Sequence, residues 1–84
     1  MSDIADVYIT LRSELARVYW TAELAKVQIQ DADIDPIKIQ LQGIPEVVWN
    51  NILLQALREN KMKVLLDRAS SGKPSLEDLR TQFL

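Results

Sequence analysis

Between Gly43 and Leu79 every break in the chain is followed by apolar residues at helical spacing, which restricts this stretch to short helices sharing one core. Gly43-Ile44-Pro45 is a stop and a restart, because proline fits the first turn of a helix, where its missing N–H has no intrahelical partner. Trp49, Ile52, Leu53, Ala56 and Leu57 follow, then Leu65, Leu66 and Ala69, then Pro74 with Leu76 and Leu79. None of these residues stands in a pattern that chemistry requires. The expected product of such a stretch is a surface.

The rest of the chain continues the pattern. Ile4, Val7, Tyr8, Leu11, Leu15, Val18 and Tyr19 fall three and four apart, one stripe of an amphipathic helix with Ser2 or Asp3 as its cap. Thr21 can cap a second helix carrying Leu24, Ala25, Val27 and Ile29, although nothing between Arg17 and Leu24 forbids one continuous helix. Asp31 to Ile34 reads as a turn, and Asp35-Pro36 as the cap and first residue of a short third helix through Gln42. Ile37 to Leu41 alternates apolar and polar, so a strand competes there, but a lone strand would lack a partner. A fourth helix is expected from Pro45 to Asn60, a fifth from Lys61 or Met62 to the Ser70-Ser71-Gly72 stop, and a sixth capped by Ser75 and running to Leu84. The fold class expected is all-α, a compact antiparallel six-helix bundle in which residues 1–84 form one domain. Both ends read as helical to the terminus, the pattern of a module excised from a longer protein.

Composition narrows the function. An apolar share of 48 % in 84 residues makes a core possible but leaves few large apolar residues for the outside. With no Cys and no His, the chain lacks disulfides, thiolate nucleophiles, imidazole bases and the two commonest zinc ligands. No catalytic residue, metal or cofactor is therefore expected. No apolar run is long enough to span a membrane and no secretory leader is evident, so a cytoplasmic location is expected, with no membrane partner. The net charge of −2 opposes nucleic-acid binding.

Individual motifs reduce to structural roles. Trp49 is expected in the core, and Trp20, beside Tyr19 at a helix junction, is expected under core cover rather than half exposed. Ser70-Ser71-Gly72-Lys73 lacks the second glycine of a phosphate-binding loop and reads as a helix stop. Ser75 follows Pro74, not the Asp that precedes the modified serine of carrier proteins. The acid pairs Glu77/Asp78 and Asp33/Asp35 suit capping, since adjacent helical residues point about 100° apart.

Charge is the candidate for function. Residues 1–45 hold seven acids against four bases, and residues 46–84 hold six bases against five acids. Asp31, Asp33 and Asp35 form an acidic knuckle, while Arg58, Lys61, Lys63, Arg68 and Lys73 gather on the fourth and fifth helices and their turn. The patch of one copy can meet the opposite patch of the next in a head-to-tail contact.

The segment from Leu15 to Leu79 resembles the effector-associated domain family, first type, a bacterial module related to death-like domains. The residues that carry the resemblance are Leu15, Val18, Tyr19, Thr21 and Ala25, the Ala32 to Ile34 turn, Pro45 with Trp49, Ile52, Leu53 and Ala56, then Leu65, Leu66, Ala69, Pro74 and Leu79. The resemblance implies a six-helix death-like bundle that pairs with a like domain and so brings an effector enzyme to its sensor in bacterial conflict or signalling systems. From another class, an obligate helical oligomer without a signalling role would satisfy the same sequence.

Overall fold

The computed structural model describes residues 4–83. Among these residues are five α-helices, α1 (Ile4–Val18), α2 (Ala22–Asp31), α3 (Pro45–Arg58), α4 (Met62–Ser70) and α5 (Pro74–Phe83), joined by short turns, with one 3-10 turn at Pro36–Lys38 between α2 and α3. Among the described residues there is no strand. The caps proposed at Ser2 or Asp3, and the end of the last helix at Leu84, lie outside the described residues.

The helices neighbour one another in the order α1, α5, α4, α2, α3 and back to α1, a closed ring, with α3 also touching α4 across it. Every helix therefore has one face turned inward, and the Cα radius of gyration of 11.6 Å matches the value of about 12 Å expected for a chain this long. Trp49 lies at the centre and is 0 % exposed, with Leu15, Ile29, Ile52, Leu53, Leu65 and Leu76 also fully buried around it. Its indole Nε1 donates to the Tyr19 carbonyl at 3.0 Å, and the Tyr19 hydroxyl donates to the Ala69 carbonyl at 2.6 Å. Both acceptors sit at helix ends, where carbonyls have no partner within the helix. The two rings, 5.7 Å apart and tilted at 44°, thus tie the end of α1 to α3 and to the end of α4.

Local chemistry explains most helix boundaries. Thr21 caps α2, its hydroxyl accepting from Leu24 N at 3.1 Å, and Pro45 is the first residue of α3, as the sequence indicates. α2 and α3 both end with a non-glycine residue in the left-handed region, Asp33 at φ 58° and Asn60 at φ 56°. At each, paired bonds close the last turn: Asp33 N to Gln30 O and Ile34 N to Ile29 O, then Asn60 N to Leu57 O and Lys61 N to Ala56 O. Between α4 and α5, Ser71 at φ −59°, ψ 122° and Gly72 at φ 74° form a type II turn closed by Lys73 N to Ser70 O at 2.9 Å.

Three expectations are corrected. The third helix does not extend to Gln42: Asp35 caps a single 3-10 turn, and Ile39 at φ −119°, ψ 129° is extended. Ile39 is buried and Leu41 packs on the core while Gln40 between them faces out, so the alternation fits the stretch after the turn, whereas Ile37 within the turn is exposed. A side chain replaces the missing strand partner, since Asn51 Nδ2 donates to the Gln40 carbonyl at 3.2 Å. Ser75 is not the cap of the last helix, because Pro74 already occupies its first turn and Glu77 N bonds back to Lys73 O at 3.0 Å. Trp20, finally, is not under core cover; it is 67 % exposed.

Candidate functional site

The two charge groups read from the sequence meet at one point. Asp33, held left-handed at the end of α2, presents both its carbonyl and its carboxylate to Lys61 Nζ at the start of α4, with the carboxylate oxygen at 3.4 Å. Lys61 also lies 3.9 Å from Glu59. Asp31 is exposed beside this clasp, and Asp35 spends one oxygen on the Ile37 N–H at 3.0 Å. Asp33, Asp35 and Glu59 border an open depression of about 390 Å³ with Gln30, Ile34 and Pro36. The acidic knuckle and Lys61 are therefore neighbours on one side of the molecule, not opposite poles.

The other bases are distributed along α3, α4 and the turn after it. Lys63 reaches Asp67 at 3.4 Å, one turn along α4, and the same carboxylate accepts from Arg80 of α5. The Arg80 guanidinium is the main reason the Asp67 carboxyl is held below the ordinary aspartate value, with Lys63 assisting. Arg58 and Arg68 are exposed at the ends of α3 and α4, where a positive charge is favoured by the helix dipole. Lys73 Nζ sits 5.5 Å from the centre of the Tyr19 ring. Arg17, Ser75 and Glu14 make a further link, from α1 to α5: the Arg17 hydrogen bond chiefly holds the Glu14 carboxyl low, and the Ser75 hydroxyl donates to it at 3.1 Å. Lone Ser75 thus has a structural partner.

Apolar exposure was not legible in the composition. Among the described residues eleven large apolar side chains are exposed, Trp20 and Ile37 most of all, contrary to the expectation that few could be spared. Leu24 and Val27 stand outward on α2, following Trp20 by four and seven residues. On α3, Val47, Leu54 and Leu57 are exposed, turned away from the buried Trp49, so Leu57 is not a core residue. Asn50 lies between them, half-buried, its Oδ1 accepting from Tyr8 OH at 2.9 Å and from Arg12 at 3.3 Å. Two clefts flank this row, one of about 190 Å³ lined by Arg12, Glu46, Val47 and Asn50, the other of about 200 Å³ lined by residues that include Lys38, Gln40, Leu54 and Arg58. The alternation of an inner and an outer apolar row within one helix is the signal that a search for core spacing absorbs into a single stripe.

Among the described residues no group of His, Cys, Asp and Glu side chains could hold a metal ion, and no helix is long and apolar enough to cross a membrane. No family model, no curated protein and no solved structure matches the chain.

Proposed function

We propose that this chain is a non-catalytic interaction module of the death-like type, which associates with like domains and so raises the local concentration of effector enzymes attached to its partners in a bacterial conflict or signalling system. The observation that carries the reading is that, among the described residues, eleven large apolar side chains are exposed outside the buried core. Its family character is supported by the burial of Trp49, Ile52, Leu53, Ala56, Leu65, Leu66 and Ala69, the residues on which the resemblance rests. Charge contributes orientation: Asp31, Asp33 and Asp35 of one copy face Arg58, Lys63 and Arg68 of the next, and tethering makes even a weak contact effective.

The test is reversal of Lys63 and Arg68 to Glu, which spares the Lys61 to Asp33 clasp. Light scattering should show lost association with far-UV dichroism unchanged; unchanged association refutes the charged contact. A structural oligomer without signalling role is the second reading, favoured by the apolar rows on α2 and α3. Salt separates the two, since exposed charge pairs are screened over about 8 Å at physiological ionic strength whereas apolar pairing is not.

A further inference from the structure

We infer that the cleft between the Lys38 to Gln40 segment and α3 takes an extended acidic segment of a partner protein, a contact that goes beyond like-with-like association and does not depend on it. The cleft, of about 200 Å³, has Lys38 and Gln40 on one wall and Asn51, Leu54, Gln55 and Arg58 of α3 on the other. Charge is sorted around it rather than paired. Two short stretches, Asp35 to Lys38 and Arg58-Glu59, each carry an acid and a base; in both, the acid borders the depression beside Asp33 and the base lines this cleft. The acids are engaged within the molecule: Asp33 with Lys61, Asp35 with the Ile37 N–H, and Glu59 with Gln55 Nε2 at 2.7 Å. Among the described residues neither Lys38 nor Arg58 has a carboxylate within ion-pair reach. Two like charges left unpaired at one cleft favour an anion there, although the chain as a whole carries −2.

The remaining groups of the cleft suit a carboxylate on an extended chain. Gln55 is 7 % exposed and donates to Glu59, and Asn51 Nδ2 donates to the Gln40 carbonyl at 3.2 Å, which leaves each amide nitrogen a second N–H. The near wall leaves the 3-10 turn at the extended Ile39, and among the described residues no backbone-to-backbone hydrogen bond engages Gln40, Leu41 or Gln42 beyond it. Backbone left unpaired in this way adds another extended chain through main-chain hydrogen bonds, and alternate side chains of the added chain supply the specificity. Acids at alternate positions then answer Lys38 and Arg58, while Leu54, 40 % exposed, covers apolar atoms beside them.

The experiment titrates the full chain carrying Lys63→Glu and Arg68→Glu, which reverses the like-with-like charges but keeps both bases of the cleft. Three probes are compared: a capped peptide of alternating glutamate and valine, its lysine and valine counterpart, and inorganic phosphate. Calorimetry reads affinity and amide chemical shifts read position. The glutamate peptide should saturate below about 1 mM, move the amide signals of Lys38 to Leu41 and of Asn51 to Arg58, and bind more weakly as salt rises. Adding Lys38→Glu and Arg58→Glu together should weaken it about tenfold or more with far-UV dichroism unchanged, because both exposed positions then repel the acids. No saturation at that concentration, equal binding of the lysine peptide, shifts confined to other residues, or indifference to the double reversal overturns the inference. Phosphate that binds the same residues as tightly as the glutamate peptide overturns it too, because the extended backbone then contributes nothing. None of these failures touches the like-with-like reading, which stands or falls on self-association of the wild-type chain.

Discussion

The two tryptophans differ as much as two residues of one type can. Trp49 is 0 % exposed and hydrogen-bonded, whereas Trp20 is 67 % exposed, although it immediately follows the Tyr19 whose carbonyl Trp49 binds. What separates them is register. Trp49 falls on the inward side of α3, in line with Ile52, Leu53 and Ala56; Trp20 falls in the break between α1 and α2, one position past the inward-facing Tyr19. One region spends its aromatic surface on holding helices together, and the other leaves it available.

That contrast breaks most readily at its buried end. Trp49→Ala should cost about 3–5 kcal/mol, a large part of the roughly 5–15 kcal/mol that a domain possesses, so chemical denaturation should find the variant marginal or unfolded. A loss below about 1 kcal/mol would mean the ring is not the centre of the bundle. Tyr19→Phe keeps the ring against Trp49 but removes the donor to the Ala69 carbonyl, leaving a buried acceptor; the expected cost is about 1–3 kcal/mol, measured by the same unfolding curves. A neutral result would show that the carbonyl at the end of α4 finds water.

How much of this was legible in the sequence depends on the range over which each signal acts. Period and local caps were readable: α1, α2, α3, α4 and α5 all follow apolar steps of three and four, and Thr21, Asp35 and Pro45 mark starts by bonds or ring geometry confined to a few residues. The segment from Pro36 to Gln42 was not, because it divides between a 3-10 turn at Pro36–Lys38 and extended backbone at Ile39, and its stabilising partner, Asn51, lies eleven residues beyond Gln40. The candidate site was the least legible. Asp31, Asp33 and Asp35 announce themselves as an acidic run, but the clasp that joins Asp33 to Lys61 spans 28 residues. The exposed row on α3 was hidden in the apolar richness that also builds the inner face.

Helix termini sharpen the comparison at about 1 kcal/mol. Asn60 ends α3 in the left-handed region, which Asn tolerates and Ala does not, so Asn60→Ala should lose about 1 kcal/mol while Asn60→Gly should hold level. Equal stability of the two would show that the turn relaxes out of that conformation. Smaller still is the acid response. The Asp67 carboxyl is held low by Arg80 and Lys63, and Glu14 by Arg17 and Ser75, so their contribution is complete above the unfolded carboxylate value of about 4 and disappears as pH falls through the lower folded values. Urea midpoints should therefore decline below about pH 4, and Asp67→Asn should flatten the decline. An unchanged slope in that variant would assign the acid response elsewhere.

The smallest effect tests the exposed end. Trp20→Ala should change folding stability by no more than about 0.5 kcal/mol, because the ring contributes little to the core and lies outside α1 and α2. The two rings also report separately: in the wild type the Trp20 emission is solvent-exposed and open to iodide quenching, so Trp20→Ala should shift the emission to the blue and remove most of the quenching. What remains should be the protected Trp49, enclosed by α3's neighbours in the ring. If instead Trp20→Ala costs several kcal/mol, or its emission is already protected in the monomer, then the outward face carries structural weight and the division between holding and recruiting aromatic surface fails. Protection that appears only as concentration rises would place at a contact between copies the small cleft that Trp20 lines with Leu41, Pro45 and Val48.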